Sequence, residues 1–284
     1  MEPLRDQAII LRSTPFEERH RVVTALTENH GRVTALAKNA IQSRRFGGTL
    51  EPFAASQWTF TQRSSGDMLH LNETLIKRDY AGIAKDFERL ALASALTEVM
   101  LRLAPEHEPA PGLFRLHANA LAWVEEVSHE DLQRLDLVFL NHAMIKTLQL
   151  SGSLPQLDCC LSCESALSKW VDSKLDLNAI VARAGWICPN CRESGMGAKT
   201  SGEDGAVQGA SLKIPAVGLR DVLMSLVAPV RELARSVQGL QIQRADQERV
   251  LRWLEAVLLF HAPGAGAPLK TFRFLQRDFP SNIF

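Results

Sequence analysis

The order of apolar and polar positions changes character near Tyr80. Before it, short apolar runs are separated by turn residues. Gln7-Ala-Ile-Ile-Leu11 is compact and apolar, and Arg21 to Thr27 alternates imperfectly. Glu28-Asn-His-Gly31 supplies a turn, and Arg32 to Ala37 is the expected partner of a hairpin. Leu50 to Gln62 carries Phe53, Trp58, Thr59 and Phe60, and a second turn at Ser64-Ser-Gly66 leads into Met68-Leu-His-Leu71. Five short strands joined by Gly-containing turns fit a small barrel.

After Tyr80 the spacing becomes helical. Ile83, Phe87, Leu90, Leu92, Leu96, Val99 and Leu103 recur every two to four residues until Pro105, Pro109 and Pro111 interrupt them. Leu113 to Val124 and Leu132 to Ile145 mark two more helices. A cysteine-rich segment follows from Cys159 to Cys191. Residues 194–211 are rich in Gly, Ser and Ala and read as a flexible loop; helical spacing returns from Leu219 to Phe260, and the tail from Pro263 is irregular.

Composition adds two restrictions. Lys plus Arg is 32 and Asp plus Glu is 32, so any surface for a polyanion must be a local patch rather than a general coat. The start carries Glu2, Arg5 and Asp6 and lacks the apolar core of a secretory signal, and no stretch approaches a membrane span. A cytoplasmic protein is expected, in which five cysteines point to a metal site or free thiols before disulfides.

Cys160-Leu-Ser-Cys163 and Cys188-Pro-Asn-Cys191 form two C-x-x-C pairs separated by 24 residues. Each can place two thiolates on a knuckle, and two knuckles complete a tetrahedron around Zn2+, with Gly185 and Pro189 supplying turn chemistry. Four unrelated thiols, or a redox dithiol, are the competing readings; the second lacks the βαβ pattern it needs. Cys159 could also pair with Cys163, but Cys160 matches the spacing of the second pair. Four cysteines leave no open position for water, which points to one structural ion and away from metal-assisted catalysis.

At this point the sequence resembles the RecO family. The resemblance lies in Ala8 to Leu11 with Leu26-Thr-Glu-Asn-His-Gly-Arg-Val33 and Ala37-Lys38, and in Gly47-Gly-Thr-Leu50 with Pro52-Phe53. It continues in Gly152-Ser-Leu-Pro-Gln-Leu-Asp158 leading into Cys160 and Cys163, and in Leu254 to His261 with Pro268-Leu-Lys-Thr271 and Phe274-Leu275. Two positions depart from it: a Gly is common where Glu164 stands, and a Ser where Thr271 stands. The resemblance implies an α+β protein with an N-terminal five-stranded OB-type DNA-binding barrel at residues 1–80. It also implies a helical domain at 81–284 carrying a zinc module at about 157–192. Its members bind single- and double-stranded DNA and anneal complementary strands. They work with RecR, often RecF, to load RecA onto DNA coated by single-stranded-DNA-binding protein.

Independently of any resemblance, residues 32–63 hold Arg32, Lys38, Arg44, Arg45 and Arg63 against one acid, Glu51, a local balance of +4. Phe46, Phe53, Trp58 and Phe60 are interleaved. Cations for phosphates with rings for bases suit a sequence-tolerant single-strand groove. Phe53, Trp58 and Phe60 also read as barrel core, the favoured reading for Trp58 and Phe60 as same-face neighbours in a strand, whereas Arg44, Arg45 and Phe46 sit in a Gly-flanked loop. The expected DNA contacts are Arg32, Lys38, Arg44, Arg45 and Phe46.

Leu251 to Leu275 places apolar residues beside Arg252, Lys270 and Arg273, either as a core helix with a basic cap or as a groove with a cationic rim. The groove would suit an acidic peptide ending in an apolar residue, such as the tail of single-stranded-DNA-binding protein. Gly264 to Thr271 echoes a phosphate-binding loop, but Leu269 stands where Gly must precede the Lys. No H-E-x-x-H, no G-x-S-x-G and no convincing acid–base pair occurs, so the expectation is a binding protein rather than an enzyme. An RNA-binding zinc-ribbon protein and a protein–protein adaptor are the alternatives.

Overall fold

The computed structural model describes residues 3–41, 43–61, 68–153, 155–173, 175–195, 211–227, 229–261 and 268–275. The expected turn at Ser64-Ser-Gly66, Arg63, Gly264 to Ala267 and most of the 194–211 loop lie outside them. Of Arg44 only the backbone is described. The chain divides into two compact units, Met1–Glu126 and Val127–Phe284.

Five strands open the first unit: β1 (Leu4–Phe16), β2 (His20–Thr27), β3 (Gly31–Ala37), β4 (Ala55–Thr61) and β5 (Leu69–Arg78). They close a barrel in the order β1-β2-β3-β5-β4, in which β1 pairs with both β2 and β4 and β3 runs parallel to β5. That is the Greek-key order of an OB barrel. Alternation decides which side chains fill it. Ala8, Ile10, Val23, Ala25, Val33 and Ala35 point inward and leave room for Trp58 and Phe60 from β4. Trp58 Nε1 finds its partner inside, donating to Ser56 Oγ at 3.1 Å. The core reading of Trp58 and Phe60 is the one realised.

Two helices, α1 (Phe87–Leu103) and α2 (Pro111–Glu126), belong to the same unit. Asp86 caps α1 by accepting from the Glu88 and Arg89 N–H groups, and Pro111 opens α2, where its missing donor costs nothing. Arg78, at the end of β5, grips Glu125 and Glu126 at 2.6 Å each, and Arg89 donates to the carbonyls of Val124 and Glu125. The end of the barrel is thereby tied to the end of α2.

The second unit packs α3 (His129–Leu150) against the later helices, beyond a cysteine-bearing segment with β6 (Asp176–Ile180), β7 (Gly185–Ile187), α4 (Pro189–Glu193) and β8 (Ser211–Pro215). After these come α5 (Ala216–Leu226), the short α6 (Leu233–Ser236) and α7 (Arg244–His261). Buried amides tie three helices together: Asn141 Nδ2 donates to Gln247, whose Nε2 donates to the Gly218 carbonyl at 3.1 Å. The strands form a sheet ordered β7-β6-β8, which the sequence reading did not anticipate although Asp176-Leu-Asn-Ala-Ile180 alternates. Arg249 of α7 holds it by binding Asp176 at 2.6 Å and the Lys213 carbonyl at 3.0 Å.

One buried histidine lies in each unit, and each sets an acid limit on stability. Burial pushes His117 down to about 3. Burial, with the nearby Lys146 charge, pushes His142 down to about 4 against its bond to Ser225. Both are neutral in the folded chain, while the unfolded chain takes up their protons near pH 6.5. Their contribution is complete above pH 6.5 and is lost as pH falls toward 4 and 3, at about 1.4 kcal/mol per pH unit for each. Urea midpoints should therefore drop between pH 6.5 and 4.5, and His142→Gln should lessen that drop by about one proton's worth. Equal pH slopes for wild type and His142→Gln would refute this.

Candidate metal centre and nucleic-acid interface

Two loops of the second unit build the metal centre. In the first, the Cys160 carbonyl accepts from Glu164 N–H at 3.0 Å, a tight turn that puts Glu164 at φ +58°. That left-handed conformation explains why glycine suits the position, and costs an L residue about 1 kcal/mol. The second loop leaves β7 at Cys188, which caps α4 through its sulfur and is followed by Pro189 at the first helical position. The loops interlock: Leu161 N–H donates to the Trp186 carbonyl at 2.9 Å, and Trp186 Nε1 returns to the Leu157 carbonyl at 2.9 Å. Gly185 has no side chain because Leu161 covers it; a Cβ there would lie 2.9 Å from Leu161.

The four sulfurs of Cys160, Cys163, Cys188 and Cys191 all lie within 4.8 Å of one another, with Cys163 and Cys188 3.8 Å apart. A Zn–S length of about 2.3 Å requires S–S edges of about 3.8 Å, so the set fits a tetrahedral ion. Backbone N–H groups point at the sulfurs: Ser162 and Cys188 donate to Cys160, and Cys191 donates to Cys188. Burial raises the Cys160 thiol, but the Cys188, Cys163 and Ser162 N–H groups outweigh it and bring it to about 7. Burial and the neighbouring thiols hold Cys188 at about 12. Three of the cysteines are buried and Cys163 is exposed. Cys159 stands outside the set, accepting from Gln156 Nε2 at 3.0 Å. This cluster could hold a metal ion, with no ligand position left for a substrate.

The described cationic residues of the barrel considered for DNA contact fall into two classes, exposed and ion-paired. Lys38 is exposed directly after β3, and Arg45 is exposed on the 3-10 turn Arg44–Phe46. Ser43 Oγ accepts from the Arg45 backbone N–H and from its Nε, while the Arg45 carbonyl accepts from Thr74. Glu51, the one acid of the stretch, is paired with Arg21 at 3.0 Å. Arg32 is engaged elsewhere: it meets Glu106 at 2.7 Å and the Ala104 carbonyl at 3.3 Å, so its charge supports the chain rather than an open groove. Phe46 is corrected outright as a base-stacking residue. Only 3% of it is exposed, because the turn folds back and plugs its ring into the barrel core. Phe53 is buried as well.

Near the end of the chain, Arg252 is exposed on α7 one turn before Glu255, which accepts from the Leu269 N–H at 2.8 Å. Arg244 holds the same segment by the Leu275 carbonyl. Leu269, Phe272 and Leu275 are buried, as a core segment requires, while Lys270 and Arg273 are exposed and Arg273 lies 5.0 Å over Phe274. Phe260 and Phe274 remain about two-fifths exposed.

Comparison with known proteins places this geometry. The models described as recombination protein O, N terminal and C terminal, match residues 1–79 and 84–199. A protein named DNA repair protein RecO from Desulfosudis oleivorans is 32% identical over 275 residues, spanning 95% of this chain and 96% of its own. Others of that name, from Desulfatibacillum aliphaticivorans and Bifidobacterium animalis subsp. lactis, are 31% and 34% identical. The first spans 67% of this chain and 72% of its own, the second 66% and 73%.

Proposed function

Because this chain belongs to the RecO family, we propose that it is a DNA repair and recombination mediator that binds single- and double-stranded DNA without covalent catalysis. In this reading it anneals complementary strands and, with RecR and in some settings RecF, helps place RecA on DNA. Its site of action is the cytoplasmic nucleoid; among the described residues no helix is long and apolar enough to cross a membrane. Cys160, Cys163, Cys188 and Cys191 hold one zinc ion that fixes their loops. The exposed rim of Arg252, Lys270 and Arg273 receives the acidic tail of single-stranded-DNA-binding protein. The observation that carries the DNA reading is a closed OB-type barrel with Lys38 and Arg45 exposed in the segment that follows β3, whose one acid, Glu51, is paired with Arg21.

Phosphate contacts from Lys38, Arg44 and Arg45 should give single-strand binding a log–log salt slope near −2, at roughly −0.7 per contact. Arg44→Ala with Arg45→Ala should weaken binding to all sequences alike and flatten the slope by about 1.4. Annealing should fall in parallel, since it needs two strands held close with their repulsion reduced. Titrations of the folded, zinc-loaded double variant against DNA and RNA oligonucleotides decide the matter. An unchanged slope would move the site off this turn, and a preference for RNA would replace the DNA reading.

A further inference from the structure

Only part of β5 has a neighbour on both sides. β4 pairs with it along its length, from Ala55 to Thr61, but β3 meets it only where Ala35, Leu36 and Ala37 face Leu69, His70 and Leu71. Among the described residues, no strand lies beside the other edge of β5 from Glu73 to Lys77, and no loop backbone bonds to it. The matching stretch of β1, before its pairing with β2 begins at Ala8, is closed by the turn after β2. There Glu28 N–H donates to the Gln7 carbonyl and Asn29 N–H to Asp6. An unpaired edge presents a row of backbone donors and acceptors to any strand that can lie along it.

Side chains decide which strand that is. Glu73, Leu75 and Lys77 alternate along the outward row and are exposed, Leu75 to 60%, and Ile76 beside it is 41% exposed. Thr74 turns the other way, to the Thr49 hydroxyl and the Arg45 carbonyl, and leaves the outward row clear. Glu73 accepts from Thr59 Oγ1 at 3.3 Å, and among the described residues neither it nor Lys77 forms an ion pair. Edges that must stay single carry charges that repel a copy of themselves. This one carries one charge of each sign, two residues to either side of an exposed leucine. In an antiparallel pair of two copies about a two-fold axis at Leu75, Glu73 faces the partner's Lys77 and Lys77 faces the partner's Glu73, with the two leucines between them. Unlike charges directly opposite stabilise such a pair, and like charges weaken it. Other registers lose this match: a slide of two residues sets Leu75 against Glu73 or Lys77, a slide of one sets outward against inward positions, and a parallel in-register pair opposes like charges.

We propose that this chain self-associates through β5: the free edges of two copies pair antiparallel about Leu75, each Glu73 held by the partner's Lys77. The contact is isologous and uses the open edge of both copies, so it closes at a dimer. Each copy gives a short edge, which places the interface at the small, transient end of the range, with micromolar or weaker affinity. Thr74 ties β5 to the Arg45 turn, so the seam also brings the Arg45 turns of two copies into one particle. Two DNA strands held at those turns would share that particle, as annealing requires; this consequence rests on the DNA reading above, whereas the pairing itself does not.

Sedimentation equilibrium of the whole chain, without DNA and at low salt, tests the pairing. Wild type should pass from monomer to dimer as its concentration rises to a few hundred micromolar, the range of a small transient interface. Glu73→Lys and Lys77→Glu each place like charges opposite one another twice, because of the two-fold axis, and should weaken self-association about tenfold. A mixture of these two single variants restores both unlike pairs, so it should dimerise at concentrations where each alone is monomeric. The double variant, Glu73→Lys with Lys77→Glu, should dimerise like wild type. Both positions are exposed, and thermal melting verifies that the variants fold. A wild type that stays monomeric throughout, or a dimer indifferent to either reversal, overturns the proposal. So does a mixture that associates no better than its components.

Discussion

If the four cysteines hold zinc as proposed, Cys188→Ser should empty the site and unfold the module around it, the largest single effect expected in this protein. Cys188 contributes its sulfur to the cluster, caps α4 with that sulfur, and sends its N–H to Cys160 at 3.3 Å. Apart from the cysteines, the mutual contacts of the two loops run through Trp186, Leu157 and Leu161. In such modules the metal's binding energy is folding energy, on the order of 10 kcal/mol. The wild-type protein purified without chelator should carry one zinc per chain, and the variant almost none. Hydrogen exchange should rise sharply in β6, β7 and α4 while the barrel strands stay protected. Cys159→Ser is the internal control: its sulfur lies outside the cluster, so zinc content should not change. Zinc-free wild-type protein, or a Cys188→Ser variant with full zinc and unchanged exchange, would sink the assignment.

Gly31→Ala should cost about 2–5 kcal/mol, for two reasons that add. Gly31 has φ +62°, a left-handed conformation costing an L residue about 1–2 kcal/mol. The added methyl would also lie 2.5 Å from the Pro105 carbonyl oxygen and closer still to that of Glu108. The Pro105 oxygen is held in place by accepting from Arg32 N–H at 2.8 Å, and the segment is tied down again where His107 N–H donates to the Arg32 carbonyl at 3.3 Å. Forcing this packed backbone apart adds about 1–3 kcal/mol. Gly48 separates the contributions: its φ is +73° but nothing lies within 4 Å of a Cβ, so Gly48→Ala should cost only the strain. Denaturant midpoints of the two variants measure the difference. Equal losses for both would mean that the 105–108 segment yields freely.

Much of the barrel could be read before any coordinates. The runs at Gln7 to Leu11, Arg21 to Thr27 and Arg32 to Ala37 fall within β1, β2 and β3, and the Asn29-His-Gly31 turn lies where it was expected. Strand alternation and turn chemistry are local properties, so local sequence reports them. Leu50 to Ala54 is not strand, although its composition suggested it, because the chain turns there with Phe53 at φ +72°. The sheet of β6, β7 and β8 went unread because β8 follows a long Gly-rich stretch and each strand is three to five residues, too short for a periodic signal.

By itself, then, the sequence determined the barrel strands, the helical spacing and the four cysteines, since each is written in neighbouring residues and fixed spacings. Tertiary structure alone decided which cations stay open and which rings stay hidden. Arg32 and Arg45 are alike as residues, but Glu106, distant along the chain, takes the first, while the second projects from its turn. Phe46 follows Arg45 directly, yet its ring is drawn into the barrel because the strands curl to leave a space there. A side chain's availability depends on what folds against it, and that partner is set by closure of the barrel rather than by its neighbours in the chain.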